Sequence, residues 1–144
     1  MIKNFLNIIF FIYSISCASQ ILLPIDFEDN QITTDDFVNF DGGTGSVIGN
    51  PYNNAQNSSL TVGQIIRDGG QIWAGSYLVL ADYLDFSSNT HISMNVYSPI
   101  SGLTVKFKLE SDGGAQTERD TSTTLSNDWE TLTWSFAGEP SNTY

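Results

Sequence analysis

Residues 90–110, THISMNVYSPISGLTVKFKLE, decide the fold of this chain. Ile92, Met94 and Val96 alternate with polar side chains, and the same alternation resumes at 103–109 after a break that contains proline and glycine. Successive side chains of a β-strand point to opposite faces, so a period of two predicts two half-buried strands. Because the break has the composition of a turn, we expect these two strands to form a hairpin.

Short alternating runs recur along most of the chain, whereas no window shows an apolar repeat at helical spacing. They predict further strands at 22–27, 37–40, 46–48, 60–67, 76–80, 117–123 and 129–136. In the last of these we expect Leu132, Trp134 and Phe136 to point inward. Asp-Gly-Gly turns, as at 41–43 and 112–114, separate the runs at intervals typical of sandwiches and jelly rolls. The sequence therefore predicts an all-β fold, a sandwich of two antiparallel sheets.

The first twenty residues, MIKNFLNIIFFIYSISCASQ, have the composition of an export signal. A lysine precedes an apolar run at 5–13, and small residues follow up to Ala18. A membrane-spanning helix needs about 20 apolar residues, so this run is too short to span a bilayer and fits a cleaved leader. We therefore expect a signal peptide at 1–18, one secreted or cell-surface domain at 19–144, and no transmembrane span. Alternatively, lipidation of Cys17, the only cysteine, would make the chain an outer-membrane lipoprotein.

Composition and charge exclude several kinds of partner and site. The chain carries 16 acidic and 5 basic residues, a net charge of −11, and binding to a polyphosphate depends on lysine and arginine. Nucleic acid is therefore excluded as a partner. Cleavage after Ala18 leaves no cysteine in the mature domain, so disulfides and thiolate metal sites are excluded as well. The remaining length suffices for a single core, and we expect a monomer.

We predict no catalytic residues. His91 is the only histidine, so a His-Glu-x-x-His zinc site cannot be built. It lies on the polar face of its strand with no acidic residue beside it in sequence, which disfavours a Ser-His-Asp triad. Two carboxylates would suffice for glycoside hydrolysis, but the sequence lacks the Glu-x-Asp-x-x-Glu strand motif of bacterial β-glucanases.

A pair of acids near the start of the mature chain is a candidate calcium site. Asp26 and Glu28 share one face of the predicted first strand, with Phe27 on the other. Calcium binds carboxylate and carbonyl oxygens, so the pair suits this ion. A solvated acidic edge has the same pattern, and both interpretations stay open.

Aromatic residues on predicted polar faces are candidates for sugar contact. An exposed indole or phenol ring offers a flat apolar surface to the C–H face of a sugar, although aromatic side chains more often pack in the core. Trp73 and Tyr77 follow a Gly-rich turn, and Asn95 lies beside Tyr97 on the polar face of one strand. The predicted carbohydrate-binding residues are Trp73, Tyr77, Asn95 and Tyr97.

Six segments carry a resemblance to a known family: LPIDFE at 23–28, WAGSYLVL at 73–80, LDFS at 84–87, MNVYSP at 94–99, VKFKLE at 105–110 and WETLTW at 129–134. In this order they resemble the β-sandwich carbohydrate-binding modules appended to secreted bacterial glycoside hydrolases, including β-glucanases. The resemblance implies a jelly-roll, galactose-binding-like sandwich without catalytic residues, which holds an attached enzyme on a polysaccharide. It also implies a structural calcium ion, with Asp26 or Glu28 at matching positions. Members of this family continue into a further strand or two, so the resemblance implies that the chain is incomplete at its C-terminus, before any catalytic domain.

Three functional hypotheses follow. The first is a secreted, non-catalytic module that binds a polysaccharide by aromatic stacking and a few hydrogen bonds. The second is a cell-surface structural or adhesive domain without a sugar ligand, in which the sandwich is a spacer. The third is a truncated jelly-roll glycanase or lyase, which requires catalytic acids that the sequence does not single out.

Overall fold

The computed structural model describes residues 20–67 and 69–144. The predicted signal peptide and Cys17 lie outside the described residues. The described chain forms a short 3₁₀ helix, η1 (Thr34–Asp36), and the strands β1 (Val38–Phe40), β2 (Gly43–Gly49), β3 (Thr61–Arg67), β4 (Gly75–Tyr77), β5 (His91–Ser98), β6 (Thr104–Glu110), β7 (Gln116–Ser122) and β8 (Asp128–Ser135). The described residues contain no α-helix, and no helix among them is long and apolar enough to cross a membrane. The prediction of an all-β fold is confirmed.

The strands pair in four antiparallel ladders of two strands each, β1–β4, β2–β3, β5–β8 and β6–β7. The predicted hairpin of β5 with β6 is wrong, because β5 pairs with β8. The connection that follows β5 bonds to Thr123 instead: Gly102 N–H donates to the Thr123 carbonyl, and Leu103 N–H donates to its hydroxyl. These bonds bring the start of β6 to the end of β7, so β6 forms its hairpin with β7.

The hydrophobic core lies between the β5–β8 and β6–β7 ladders. Leu132, Trp134 and Phe136 are buried, which confirms that they point inward. The Phe107 ring of β6 lies 5.2 Å from the Trp134 ring and 6.2 Å from the Phe136 ring, centroid to centroid. Burying one such large apolar side chain stabilises a fold by about 1.5–3 kcal/mol. These facing rings therefore hold the two ladders together in a sandwich-like arrangement.

The opposite face of β6–β7 is charged and faces solvent. Lys106 pairs with Glu118 at 2.7 Å and with Asp120 at 3.1 Å across the ladder, and Lys108 pairs with Glu110. Ion pairs this exposed contribute little to stability, because water and salt screen them. Their effect is on orientation, since a face that carries five charged side chains cannot turn toward the core.

Residues 22–27 do not form the predicted first strand. Pro24 has no N–H to donate to a neighbouring strand, and Phe27 has a left-handed φ of 61°, which interrupts an extended run. Just before this segment, Ile21 makes an isolated parallel bridge with Leu80. The two predicted calcium ligands therefore lie in a loop and not on one face of a strand.

The segment that follows β8 and ends at Tyr144 is tied to the core side of the fold. Leu84 N–H donates to the Tyr144 carbonyl at 2.8 Å. In the same segment the Glu139 carboxylate accepts from the Thr117 and Tyr144 hydroxyls and pairs with Arg119 at 2.7 Å. The bond from Thr117, followed by those from Tyr144 and Arg119, holds the pKa of Glu139 below its usual range.

Glycines allow aromatic rings to lie directly on the β2–β3 ladder. The Phe37 ring packs against Gly45 and the Phe27 ring against Gly63. The two rings are stacked, with 6.2 Å between their centroids. A β-carbon at either glycine would overlap the ring above it, so these small residues fix the position of the chain that precedes β1.

At the start of β2 the close contact is between two backbones. A β-carbon on Gly43 would overlap the backbone of Gly75 in β4. We predict that Gly43→Ala lowers the free energy of unfolding by about 1–3 kcal/mol, the usual cost of overpacking. Urea unfolding followed by tryptophan fluorescence measures this change.

Gly49→Ala, at the other end of the same strand, is the matched control for Gly43→Ala. A β-carbon there meets nothing within 4 Å. We expect this variant to be as stable as the parent chain or slightly more stable, because alanine restricts the unfolded backbone. An equal loss of stability in both variants would contradict the proposed contact.

Candidate functional site

Three exposed aromatic side chains lie on and beside the β1–β4 ladder, and we call them the aromatic platform: Phe40, Trp73 and Tyr77. The ladder pairs Phe40 with Gly75 and Val38 with Tyr77, which puts the Phe40 and Tyr77 side chains on one face. The Phe40 and Tyr77 rings are 6.3 Å apart, centroid to centroid. These two rings form an exposed apolar surface on two short strands, and Trp73 lies in the turn two residues before β4.

Trp73 is exposed and yet held in place. Its side chain is 60% exposed, while its indole N–H donates to the Asp41 carboxylate at 2.7 Å. The Asp41 carbonyl in turn accepts from Gln71 N–H at 3.0 Å, which closes the loop that carries the tryptophan. A ring that already has a fixed orientation loses little conformational entropy when a ligand binds to it.

The loops on either side of this contact approach each other through glycine. Gly42 and Gly70 have positive φ values of 105° and 72°, and a β-carbon on Gly70 would overlap the Asp41 carbonyl oxygen. Asp41 also has a positive φ, 55°, a conformation that aspartate adopts more readily than most residues. The Asp-Gly-Gly turn before β2 is therefore the feature that brings a carboxylate to Trp73.

A second aromatic cluster joins the loop after β2 to the β5–β8 ladder, and we call it the tyrosine stack: Tyr52, Tyr97 and Trp129. The Tyr52 and Tyr97 rings lie face to face, with 3.8 Å between centroids and 4° between planes. Tyr97 and Trp129 are paired across the ladder, and their rings meet edge to face at 5.6 Å. The Trp129 indole N–H donates to the Tyr52 carbonyl at 2.9 Å. Burial raises the pKa of Tyr97, and the Tyr52 phenol and the Asp128 carboxylate add to this shift.

The outer face of the β5–β8 ladder continues from the tyrosine stack as two uncharged cross-strand pairs, which we call the polar row. The Thr131 hydroxyl donates to the Asn95 side-chain oxygen at 2.8 Å. The Ser93 and Thr133 hydroxyls are hydrogen-bonded at 2.9 Å. His91 lies beyond them, and all five side chains are exposed.

The structure separates the four residues predicted to contact sugar into two pairs. Trp73 and Tyr77 belong to the aromatic platform, whereas Asn95 and Tyr97 lie together on the outer face of β5–β8. One face of the Tyr97 ring is covered by Tyr52. At this second surface a ligand would therefore meet Tyr52 first.

Sequence reasoning missed three residues that shape these surfaces: Phe40, Asp41 and Tyr52. Phe40 had a readable signal, since it ends a short strand just before a turn. No sequence signal pointed to Asp41, because the tryptophan whose indole it binds is 32 residues away. Tyr52 was the single aromatic residue in a loop rich in asparagine, a signal that could have singled it out.

Asp26 and Glu28, the predicted calcium ligands, accept backbone hydrogen bonds in their loop. Glu28 accepts from Leu60 N–H at 2.7 Å and from Thr61 N–H at 3.0 Å, and Asp26 accepts from Glu28 N–H at 2.9 Å. Carboxylate oxygens are ligands that calcium prefers, but the ion takes about six to eight oxygens. Residues 20–67 and 69–144 contain no group of three or more His, Cys, Asp or Glu side chains placed to hold a metal. A calcium ion here would draw further ligands from backbone carbonyls and water, and its binding stays a prediction.

If calcium binds at this loop, calcium chloride will raise the melting temperature and EGTA will reverse the effect. A ligand that binds only the folded state adds about 2.7 kcal/mol of stability at a hundredfold excess over its Kd. Differential scanning fluorimetry measures the shift, with magnesium chloride at equal ionic strength as the control. A melting temperature that calcium and EGTA leave unchanged would contradict the calcium prediction.

We predict that Asp41→Ala releases the Trp73 indole while the domain stays folded. The indole N–H of Trp73 should then exchange faster with water, since it has lost its acceptor. Asp41→Asn is the matched control, because it keeps an oxygen acceptor and tolerates the positive φ. The ¹H–¹⁵N indole resonances measure the effect, and the Trp134 indole, bonded to the Val105 carbonyl in the core, is the internal reference. Unchanged exchange at Trp73 in Asp41→Ala would contradict this anchoring.

No protein-family model, curated protein or solved structure matches this chain. The chemistry and geometry of its own residues are therefore the basis for a functional proposal. The resemblance to β-sandwich carbohydrate-binding modules stays an expectation from the six sequence segments that carry it.

Proposed function

We propose that this chain is a non-catalytic module that binds polysaccharide through the aromatic platform. The observation that carries the proposal is Trp73, whose ring is exposed and is held by the Asp41 carboxylate. Exposed apolar area costs about 25 cal/mol per Å², so a ligand that covers this ring gains binding free energy. The apolar C–H face of a sugar ring is flat enough to cover an indole, and the exposed Phe40 and Tyr77 rings on the β1–β4 ladder offer further apolar surface.

Polar groups at the rim of the platform supply hydrogen bonds to a sugar. Arg67 donates to the Gln71 carbonyl at 3.2 Å, which keeps its guanidinium beside the loop that carries Trp73. The five N–H donors of a guanidinium exceed this one bond, so donors remain for sugar hydroxyls. Stacking on one or two rings with a few such bonds gives millimolar to micromolar dissociation constants, about −4 to −8 kcal/mol.

We further propose that the module is secreted or displayed at the cell surface and holds an attached glycoside hydrolase on its substrate. The six segments that resemble carbohydrate-binding modules support this context. The net charge of −11 supports a neutral glycan as partner, because a polyanion would be repelled.

Trp73→Ala should weaken binding at the platform. We expect the parent chain to be retarded in native gels that contain soluble mixed-linkage β-glucan, laminarin or xylan. In the Trp73→Ala variant, affinity for the retarding glycan should fall about tenfold or more, since each 1.4 kcal/mol of lost contact is a factor of ten. Mobility in gels without glycan corrects for any change in shape.

The matched control is Ile72→Ala. Ile72 is the sequence neighbour of Trp73 and is 85% exposed, so its replacement removes apolar surface without removing a ring. Retardation should match that of the parent chain. Equal losses in both variants would indicate non-specific hydrophobic adhesion, and an unaffected Trp73→Ala variant would contradict binding at the platform.

A structural or adhesive domain without a sugar ligand is the second candidate. It is favoured by large aliphatic side chains that are exposed outside the platform, among them Leu60, Ile65, Val79 and Ile100. Large exposed apolar patches usually mark contacts with other proteins. No retardation on any glycan, together with concentration-dependent self-association in analytical ultracentrifugation, would favour this candidate.

A further inference from the structure

We propose that the tyrosine stack and the polar row form a second glycan-binding site, separate from the aromatic platform and suited to an uncharged chain. Tyr52 is its stacking ring. This inference rests on the proposed function, because it assumes that the domain binds glycans. It extends that function by giving the domain two points of attachment.

The outer face of Tyr52 is available to a ligand. Its inner face lies parallel to the Tyr97 ring at a centroid distance of 3.8 Å, which is van der Waals contact and leaves no room for a ligand. Tyr52 as a whole residue is nevertheless 50% exposed. Since the inner face is covered, the part of the ring that can contact a ligand is its opposite face and its edge.

Hydrogen bonds fix the loop that carries Tyr52. The Tyr52 carbonyl accepts from the Trp129 indole at 2.9 Å, and Tyr52 N–H donates to the Asn50 side chain at 2.9 Å. Across the same loop the Asn53 amide donates to the Ser58 carbonyl at 2.9 Å. The ring is therefore held before any ligand arrives, as Trp73 is in the platform.

The surroundings of Tyr52 favour an uncharged, hydroxyl-rich ligand. In a chain with 16 acidic residues, the segment 49–60 contains no charged side chain. The polar row beside it presents serine, threonine and asparagine groups, which both donate to and accept from sugar hydroxyls. The carboxylate that acts on the Tyr97 phenol belongs to Asp128, and it would repel a uronic acid polymer. The charged outer face of β6–β7 offers no comparable surface.

The two sites lie at opposite ends of β2. Asp41, which holds Trp73, is two residues before the strand, and Tyr52 is three residues after it. Seven extended residues span roughly 20 Å. A disaccharide is shorter than this span, so short ligands occupy the sites independently. A long chain that reaches both would bind about 10²–10⁴-fold more tightly than to one site, through effective concentration.

The three tryptophan indoles provide the test, because each N–H reports on a different place. Trp73 bonds to Asp41 at the platform, Trp129 bonds to Tyr52 in the stack, and Trp134 bonds in the core. The ¹⁵N-labelled chain is titrated with cellobiose, laminaribiose and xylobiose, which are too short to reach both sites, and with digalacturonate as the anionic comparison. We expect one of the neutral disaccharides to shift the Trp73 and Trp129 resonances, each with its own midpoint, and to leave Trp134 in place.

Variants assign each shift to its site. Trp73→Ala should keep the Trp129 shift and its midpoint within twofold, whereas Tyr52→Ser should remove the Trp129 shift and keep that of Trp73. Tyr52→Phe preserves the ring and should behave as the parent chain. If Tyr52→Ser disturbs the fold, which the Trp134 resonance would show, the Trp73→Ala titration alone decides.

A Trp129 resonance that stays fixed while that of Trp73 moves would overturn the second site and leave the proposed function standing. A Trp129 shift that disappears in Trp73→Ala would also overturn it, since the two sites would then be one. An equal Trp129 shift with digalacturonate would overturn the assignment to an uncharged chain. If neither resonance moves with any probe, the second site and the proposed function both fail.

Discussion

Two backbone segments are in close contact where the β1–β4 ladder meets β2, and only glycine, which has no side chain, permits so close a contact. Gly43 lies against Gly75, and Gly42 lies against Gly70, with no room for a β-carbon at either contact. Because the two loops are locked together in this way, the Asp41 carboxylate falls within hydrogen-bond distance of the Trp73 indole. The orientation of the most exposed tryptophan is therefore set by backbone packing beneath it, and the ring itself stays free to contact a ligand.

The parts of the fold that were predictable depend on local signals. Alternation between neighbouring residues indicated β5, β6 and β8 and the inward face that carries Trp134, since each such signal spans two residues. Which strands pair with each other, in contrast, does not depend on local signals. The hairpin expected between β5 and β6 is replaced by β5–β8 pairing, because the chain after β5 bonds to Thr123, far along the sequence. The strand predicted at 22–27 does not form, although its apolar residues are typical of a strand. Pro24 and Phe27, which has a left-handed backbone conformation, cannot continue a ladder.

The candidate sites show the same division between local and distant information. Trp73 was identifiable because a glycine-rich turn precedes it, and turns place side chains at the surface. Asp41, the carboxylate partner of Trp73, was not identifiable, since a hydrogen bond between distant loops leaves no pattern in the sequence of either loop. Tyr97 was identified from the polar face of β5, but the Tyr52 ring that covers it comes from another part of the chain. The four predicted residues therefore lie on two surfaces, because Tyr77 belongs to the β1–β4 ladder whereas Asn95 and Tyr97 belong to the β5–β8 ladder.

The Glu139 carboxylate contributes to the response of this domain to acid, as do Asp85 and Glu130, whose pKa values are also lowered by hydrogen bonds. Its folded pKa is below the usual glutamate value, chiefly because the Thr117 hydroxyl donates to the ionised form. A group with a lowered folded pKa stabilises the fold above its unfolded pKa, and that stabilisation is lost as the pH falls through the folded value. Mild acidification therefore leaves the attachment of Arg119 and Tyr144 intact. Stronger acid protonates Glu139 and weakens its contacts with Thr117, Arg119 and Tyr144, whereas the contacts between the packed rings of Phe107, Trp134 and Phe136 involve no ionisable group.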